Sequence, residues 1–234
     1  MSSGLMVALD MDEREEAVRL AGEIGQDVAA LKVGSQLFTR YGPELVHQIT
    51  GSGGCVFLDL KYHDIPNTVA KAVRGAVETG VSWLTVHASG GSEMIQAAKE
   101  AAGNVRILAV TVLTSLDREA MGQIGWGGVV EDQVVRLATM ARESGADGIV
   151  CSALEVRSLR RVLDEDCVLV TPGIRPEGTS TDDQARVATP AGAIADGADY
   201  LVVGRPIVKA PDRKEAVRLI LEEMKRGDAL RERN

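Results

Sequence analysis

The sequence predicts an α/β protein whose 234 residues form a closed (β/α)8 TIM barrel, with residues 1–234 as a single domain. Three observations carry this prediction. Short apolar runs alternate with segments of helical spacing, and the alternation repeats eight times. The runs are apolar on both faces and rich in Val, Leu and Ile, as buried parallel strands are. The length also suits one barrel of about 200–250 residues as well as it suits two average domains.

The predicted strands, in order, are Leu5 to Asp10, Val28 to Gly34, Cys55 to Lys61 and Trp83 to Ala88, then Arg106 to Leu113, Asp147 to Ala153, Cys167 to Gly173 and Asp199 to Gly204. Helices fill the intervals. From Glu13 to Ile24, residues Ala17, Leu20, Ala21 and Ile24 share one face among Glu and Arg. Val69 to Glu78, Glu131 to Glu143 and Lys214 to Lys225 read the same way, and the charged residues of the last continue as a solvated face to Arg233. Gly80, Gly145 and Gly197 stand where helices must stop before the next strand. Eight βα units argue for closure into a barrel. An open doubly wound sheet usually carries GxGxxG after its first strand, and here that turn is Asp10-Met11-Asp12-Glu13. The polar stretch from Arg175 to Gln184 falls inside the alternation and reads as a βα lid loop rather than a linker. Gln123 to Gly128 is a second, Gly-rich loop, and the sequence gives no role to its Trp126.

Charge and composition narrow the partners. With 26 Lys and Arg against 34 Asp and Glu, the formal charge is −8, which disfavours nucleic acid and anionic membrane as main partners. Few aromatics are present, so a stacking platform for single strands is not expected. The three cysteines, Cys55, Cys151 and Cys167, form no CxxC pair, and with three His residues they suggest no metal site. They read as reduced core thiols of a cytoplasmic protein. The N-terminus lacks the pattern of a signal peptide, and no run approaches the ~20 apolar residues of a membrane span.

In a barrel the catalytic face lies at the C-terminal strand ends. There the sequence puts Asp10, Lys32, Asp59 with Lys61, His87, Thr111 with Thr114, Ser152, Thr171, and Gly204 with Arg205. Charges inside apolar strands are costly unless paired. Asp59 and Lys61 are two apart and so share one strand face, which a plain buried salt bridge would also explain. Lys32 on a neighbouring strand end turns the pair into an alternating network, an arrangement commoner in active sites than in cores. A second signal is Pro172 to Arg175 (PGIR) and Val202 to Pro206 (VVGRP). These combine Gly backbone with Arg after strands seven and eight, where such barrels hold phosphate.

The segment Asp59 to Thr68, DLKYHDIPNT, closely resembles the DxKxxD region of the bacterial-type orotidine 5′-phosphate decarboxylase family. The resemblance continues through VALD, LKVG, VHASGG (Val86 to Gly91), TVLTS (Thr111 to Ser115), VCSA, TPGIRP and GRPI, in order and with matching spacing. It implies a barrel that converts orotidine monophosphate (OMP) to uridine monophosphate (UMP) without metal or organic cofactor. Lys61 would protonate the sixth ring carbon as carbon dioxide leaves. Lys32, Asp59, Lys61 and Asp64 would form a charged tetrad, with Asp64 reaching in from the partner of a homodimer. Asp10 and Lys32 would hold ribose hydroxyls, and Thr68 would add a contact across the dimer. Thr114, with Ser115 beside it, would lie near the base. Arg175, Gln184, Gly204 and Arg205 would hold the phosphate, with Pro172 among the substrate-binding residues and 175–184 closing as the lid.

Two rival readings stand beside this one. Magnesium-dependent sugar-phosphate decarboxylases or aldolases of the same superfamily share DxKxxD but place an acidic metal ligand near position 32, where this chain has Lys. A non-catalytic nucleotide-binding barrel would be expected to lose a tetrad charge, and none is missing. His63 reads as a structural histidine, His87 as a hydrogen-bonding residue of the barrel mouth, and Asp64 alone would read as a helix-entry residue before Pro66.

Overall fold

The apolar runs do pair side by side and close on themselves. In the computed structural model, which describes residues 4–176 and 188–232, the strands are β1 (Leu5–Ala8), β2 (Ala30–Gly34), β3 (Val56–Tyr62), β4 (Trp83–His87), β5 (Arg106–Val110), β6 (Gly148–Val150), β7 (Val168–Thr171) and β8 (Tyr200–Val203). All neighbours are parallel, and β8 pairs back onto β1 through Leu201 opposite Leu5 and Val203 opposite Val7. The helices are α1 (Arg14–Ile24), α2 (Ser35–Gly51), α3 (Pro66–Glu78), α4 (Ser92–Ala101), α5 (Arg118–Gln123), α6 (Val130–Glu143), α7 (Val156–Arg160), α8 (Pro190–Ala195), α9 (Arg205–Val208) and α10 (Arg213–Arg231).

Strand alternation sorts the core into two layers. Met6, Ala8, Ala30, Phe57, Trp83, Leu108, Val170 and Val202 pack together inside the barrel. Leu5, Val7, Leu31, Val33, Leu58 and Leu84 point the other way and pack against the helices. Each such side chain contributes roughly 1.5–3 kcal/mol when fully buried. Helix α1 buries Ala17, Leu20, Ala21 and Ile24, the face its spacing predicts. Gly80, Gly145 and Gly197 follow α3, α6 and α8 with φ of 81°, 94° and 112°, as their role as stops requires. Helix α2 is kinked at Gly42 (φ 60°), just before Pro43.

Most predicted strands run past the observed ones at the C-terminal end. Asp10, Val112, Ser152, Pro172 and Gly204 lie beyond the last paired residue, where the chain leaves the ladder for the βα loop. Strand β3 does the reverse and extends to Tyr62. Helix α3 begins at Pro66, earlier than its apolar spacing indicates, because proline suits the first helical turn. Helix α5 is not legible in the spacing; Asp117 caps it by accepting from Ala120 N–H at 2.9 Å. Trp126 is partly buried and packs onto the outer core from the loop after α5. Cys55 corrects an expectation, being exposed, whereas Cys151 and Cys167 are buried.

The end of the barrel away from the strand tips is held by acids. Asp147, just before β6, accepts from Lys99 Nζ at 2.6 and 2.7 Å and from Ile107 N–H at 2.7 Å. Asp199, just before β8, pairs with Arg160 and accepts from Leu169 N–H at 2.8 Å. Each acid thereby ties its own strand to the preceding one.

Candidate active site

Continuing the inward register of each strand past its last core residue gives the site. After Met6 and Ala8 comes Asp10; after Ala30, Lys32; after Phe57, Asp59 and Lys61; after Val202, Gly204. These residues surround a cavity of about 660 Å³. Its floor is apolar, formed by Ala8, Phe57, Val110, Val150 and Val202, and Thr114, Pro172, Arg175, Arg205, Gln36 and Lys209 complete the wall.

On one side of this cavity lies a continuous charge chain. Lys32 Nζ is 3.2 Å from Asp10 Oδ1 and 3.6 Å from Asp59 Oδ2, and Lys61 Nζ is 2.9 Å from Asp59 Oδ1. The Asp59 carboxylate is largely enclosed, 13% exposed, and Lys61 is the more open partner at 34%. Burial pushes Asp59 upward, but the ammonium groups of Lys32 and Lys61, with hydrogen bonds from Lys61 and Thr85, together hold it below the ordinary carboxylate value. The site therefore keeps a buried anion between two cations.

Lys61 is held in an unusual backbone. Among the described residues it is the one non-glycine residue with positive φ, at 52°. A left-handed conformation costs an L-residue roughly 1–2 kcal/mol. It coincides with a break in the β3–β4 register, between Leu58 opposite Leu84 and Tyr62 opposite Val86. The two-apart rule thus places Asp59 and Lys61 together, but on a bulged strand.

Across the cavity, Arg175 is buried, donates its backbone N–H to Ala188 O at 2.9 Å, and donates from Nη1 to Ile174 O at 2.9 Å. Gly204 abuts β1: a Cβ built on it would stand 3.5 Å from Asp10 Oδ2. The loop carrying Asp10 is latched to α2, since Gln36 donates to Asp12 Oδ1 at 2.9 Å and Tyr41 Oη to Asp12 O at 2.9 Å.

The structure gathers Asp10, Lys32, Asp59, Lys61, Thr114, Pro172, Arg175, Gly204 and Arg205 around one cavity. Asp64 and Thr68 are exposed and stand outside it, and Ser115 is exposed beside Thr114 without joining the lining. Gln184, and with it most of the 175–184 loop, lies outside the described residues. Three of the strand-end polar residues have other duties. Thr111 and Thr171 alternate with inward Val110 and Val170 and so face the helices, and Ser152 caps the following turn in a reciprocal pair with Glu155. His63 is exposed, its ring 5.5 Å from that of His87. The residues that sequence reasoning missed are Thr85, Gln36 and Lys209. Thr85 resembles any β-branched strand residue, and nothing in its spacing marks it.

Among the described residues, no group of three or more His, Cys, Asp or Glu side chains could hold a metal ion. Nor is any helix among them long and apolar enough to cross a membrane. Burial pushes the Cys151 thiol, which borders the cavity, far up and raises Cys167 to about 11, so both are poor nucleophiles.

Comparison with known proteins adds four findings. The sequence profile of the "Orotidine 5'-phosphate decarboxylase / HUMPS family" matches residues 3–220. The chain is 49% identical to orotidine 5′-phosphate decarboxylase of Nitrosococcus oceani, covering 95% of this chain and 97% of that one. Against the protein of the same name from Thermobifida fusca it is 48% identical over 98% and 99%. Among solved structures, orotidine 5′-phosphate decarboxylase from Lactobacillus acidophilus superimposes with a TM-score of 0.86 at 39% identity, covering 95% of this chain and 99% of that one.

Proposed function

Because the chain belongs to the orotidine 5′-phosphate decarboxylase / HUMPS family, we propose that Lys61, Asp59 and Lys32 carry the chemistry of its cavity. The reaction is the decarboxylation of OMP to UMP, a step of pyrimidine biosynthesis. Loss of carbon dioxide breaks the bond between the ring and its carboxylate and leaves an electron pair in an sp² orbital that the ring delocalises poorly. The Lys61 ammonium stabilises that pair and then gives it a proton, joining electrostatic and general-acid roles. Asp59 pairs with the Lys61 ammonium at 2.9 Å and opposes the substrate carboxylate. Asp10 and Lys32 take the ribose hydroxyls, Thr114 borders the base, and Arg175, Gly204 and Arg205 take the phosphate.

One charge pair at 4 Å and an effective dielectric of 20 amounts to roughly 4 kcal/mol, about three powers of ten in rate. Accelerations by enzymes start near 10⁶, so a single pair does not suffice. The rest comes from the preset network on the apolar floor and from binding energy at the distant phosphate. The observation that carries the assignment is the 2.9 Å contact of Lys61 Nζ with an Asp59 already paired to Lys32. Following the ultraviolet change of OMP with the intact protein and with Lys61→Ala tests it: the variant binds UMP but does not turn over. Normal turnover by the variant would remove Lys61 from its role.

The same reading makes the protein a homodimer in which Asp64 and Thr68 serve the neighbouring site. Its support is that both residues are exposed, that Ile65 between them is 67% exposed, and that His63, Asp64, Pro66 and Ser89 border a second, shallow depression. Mixing Lys61→Ala with Asp64→Ala tests it. A hybrid dimer regains one complete site, so about a quarter of normal activity returns. No recovery after exchange of chains would refute the shared site. The reading also puts the protein in the cytoplasm, a reducing compartment that suits its three free cysteines.

A further inference from the structure

We propose that Thr85, a buried residue of β4, is a positioning residue for Lys61, its hydroxyl bridging the Lys61 backbone and the Asp59 carboxylate. Thr85 is fully buried and points inward between Trp83 and His87. Its Oγ1 accepts from the Lys61 N–H at 2.9 Å and donates to Asp59 Oδ1 at 2.9 Å. That same Oδ1 accepts from Lys61 Nζ at 2.9 Å.

The register explains why a hydroxyl is needed there. From Leu58 to Tyr62 the β3 chain advances 62 − 58 = 4 residues, while its β4 partners advance 86 − 84 = 2, from Leu84 to Val86. Asp59, Leu60 and Lys61 therefore stand opposite Thr85 alone. Bulges of this kind re-aim side chains beside active sites at the cost of ladder hydrogen bonds. The Thr85 hydroxyl takes the place of a ladder acceptor for the Lys61 N–H.

The orientation of the hydroxyl is fixed by its neighbours. The Lys61 N–H can only donate and an ionised Asp59 can only accept, so the Thr85 proton points at Asp59. One small group thereby sets the backbone from which Lys61 springs and the carboxylate to which its ammonium is tied. A misplacement of about 1 Å at a reacting group can cost about 10²-fold in rate, so the expected effect falls on turnover rather than on binding.

The inference rests on Lys61 being the proton donor. The experiment compares intact protein, Thr85→Val, Thr85→Ser and Lys61→Ala for kcat and KM with OMP and for UMP affinity by calorimetry. Thr85→Val keeps the shape and loses the hydroxyl. It is expected to lower kcat about 100-fold while UMP affinity stays within about threefold. Thr85→Ser, which keeps the hydroxyl, restores most of kcat. Normal kcat in Thr85→Val would overturn the proposal. So would equal losses in Thr85→Val and Thr85→Ser, which would trace the effect to packing of the methyl group, or loss of UMP binding in step with kcat. Turnover by Lys61→Ala would instead remove the reading of Lys61 itself, whatever Thr85 does.

Discussion

Asp59 and Lys61 meet at 2.9 Å across one end of β3 although the chain between them has left the regular ladder and Lys61 is left-handed. The bond between them is thus a product of the bulge as much as of the two-residue spacing. The backbone demand of position 61 can be separated from its charge. Lys61→Ala and Lys61→Gly are both expected to be inactive, but glycine accepts φ of 52° freely. Lys61→Gly should therefore be the more stable of the two by about 1 kcal/mol. Thermal melts of the two variants decide; equal or reversed stability would show that the left-handed backbone carries no strain.

Arg205 lines the cavity and, on the proposed reading, holds the phosphate rather than the reacting carbon. A charge-assisted hydrogen bond is worth about 1.5–3 kcal/mol, so Arg205→Ala is expected to lower kcat/KM for OMP by about 10- to 150-fold. The same substitution should hardly change the rate on orotidine, which lacks the phosphate. An unchanged kcat/KM with OMP would move the phosphate elsewhere.

Acid should weaken the fold in two stages. Burial, His63 and Lys61 lower His87 below its ordinary 6.5, so the unfolded chain takes up a proton before the folded one does. Stability from His87 is present above pH 6.5 and is lost as pH falls through the folded value. Asp59, held below 3.8, contributes fully above that value and loses its contribution as pH falls through its own folded value. Melting temperatures measured from pH 7 downward should show both stages, and His87→Asn should remove the first. An unaltered profile in that variant would exclude His87 as the cause.

Lys32 places an ammonium between the carboxylates of Asp10 and Asp59. A divalent cation would be repelled from the same space. Dialysis against EDTA is therefore expected to leave kcat/KM unchanged. A loss restored by Mg²⁺ would point instead to the metal-dependent branch of the superfamily.

At the opposite end of the barrel, Asp147→Ala deprives the buried Ile107 N–H of its acceptor and Lys99 of its partner. A cost of about 1.5–3 kcal/mol in chemical denaturation is expected, with kcat on OMP unaffected. A fall in kcat with stability intact would contradict the separation of the two ends.

The order of strands was legible because each is apolar on both faces, and Asp10, Lys32, Asp59 and Lys61 stood out as charges against that background. Where the signal was only polarity, it misled. Thr111, Thr171 and Ser152 look like mouth residues, yet alternation turns the two threonines outward and capping occupies the serine. Thr85 was invisible for the converse reason: threonine is a favoured strand residue, and its duty arises from a register break no single sequence displays. The role proposed for Asp64 rests on resemblance alone, since its surroundings in the chain are those of an ordinary helix entry.

The ring closes where β8 meets β1, and that seam runs through the site: Asp10 follows the first strand, while Gly204 and Arg205 follow the last. During synthesis on a ribosome, the first of these residues must wait for nearly the entire chain to emerge before its neighbours exist. A nascent chain that has not yet made β8 therefore lacks one wall of the cavity, which is complete only once the eighth strand pairs with the first.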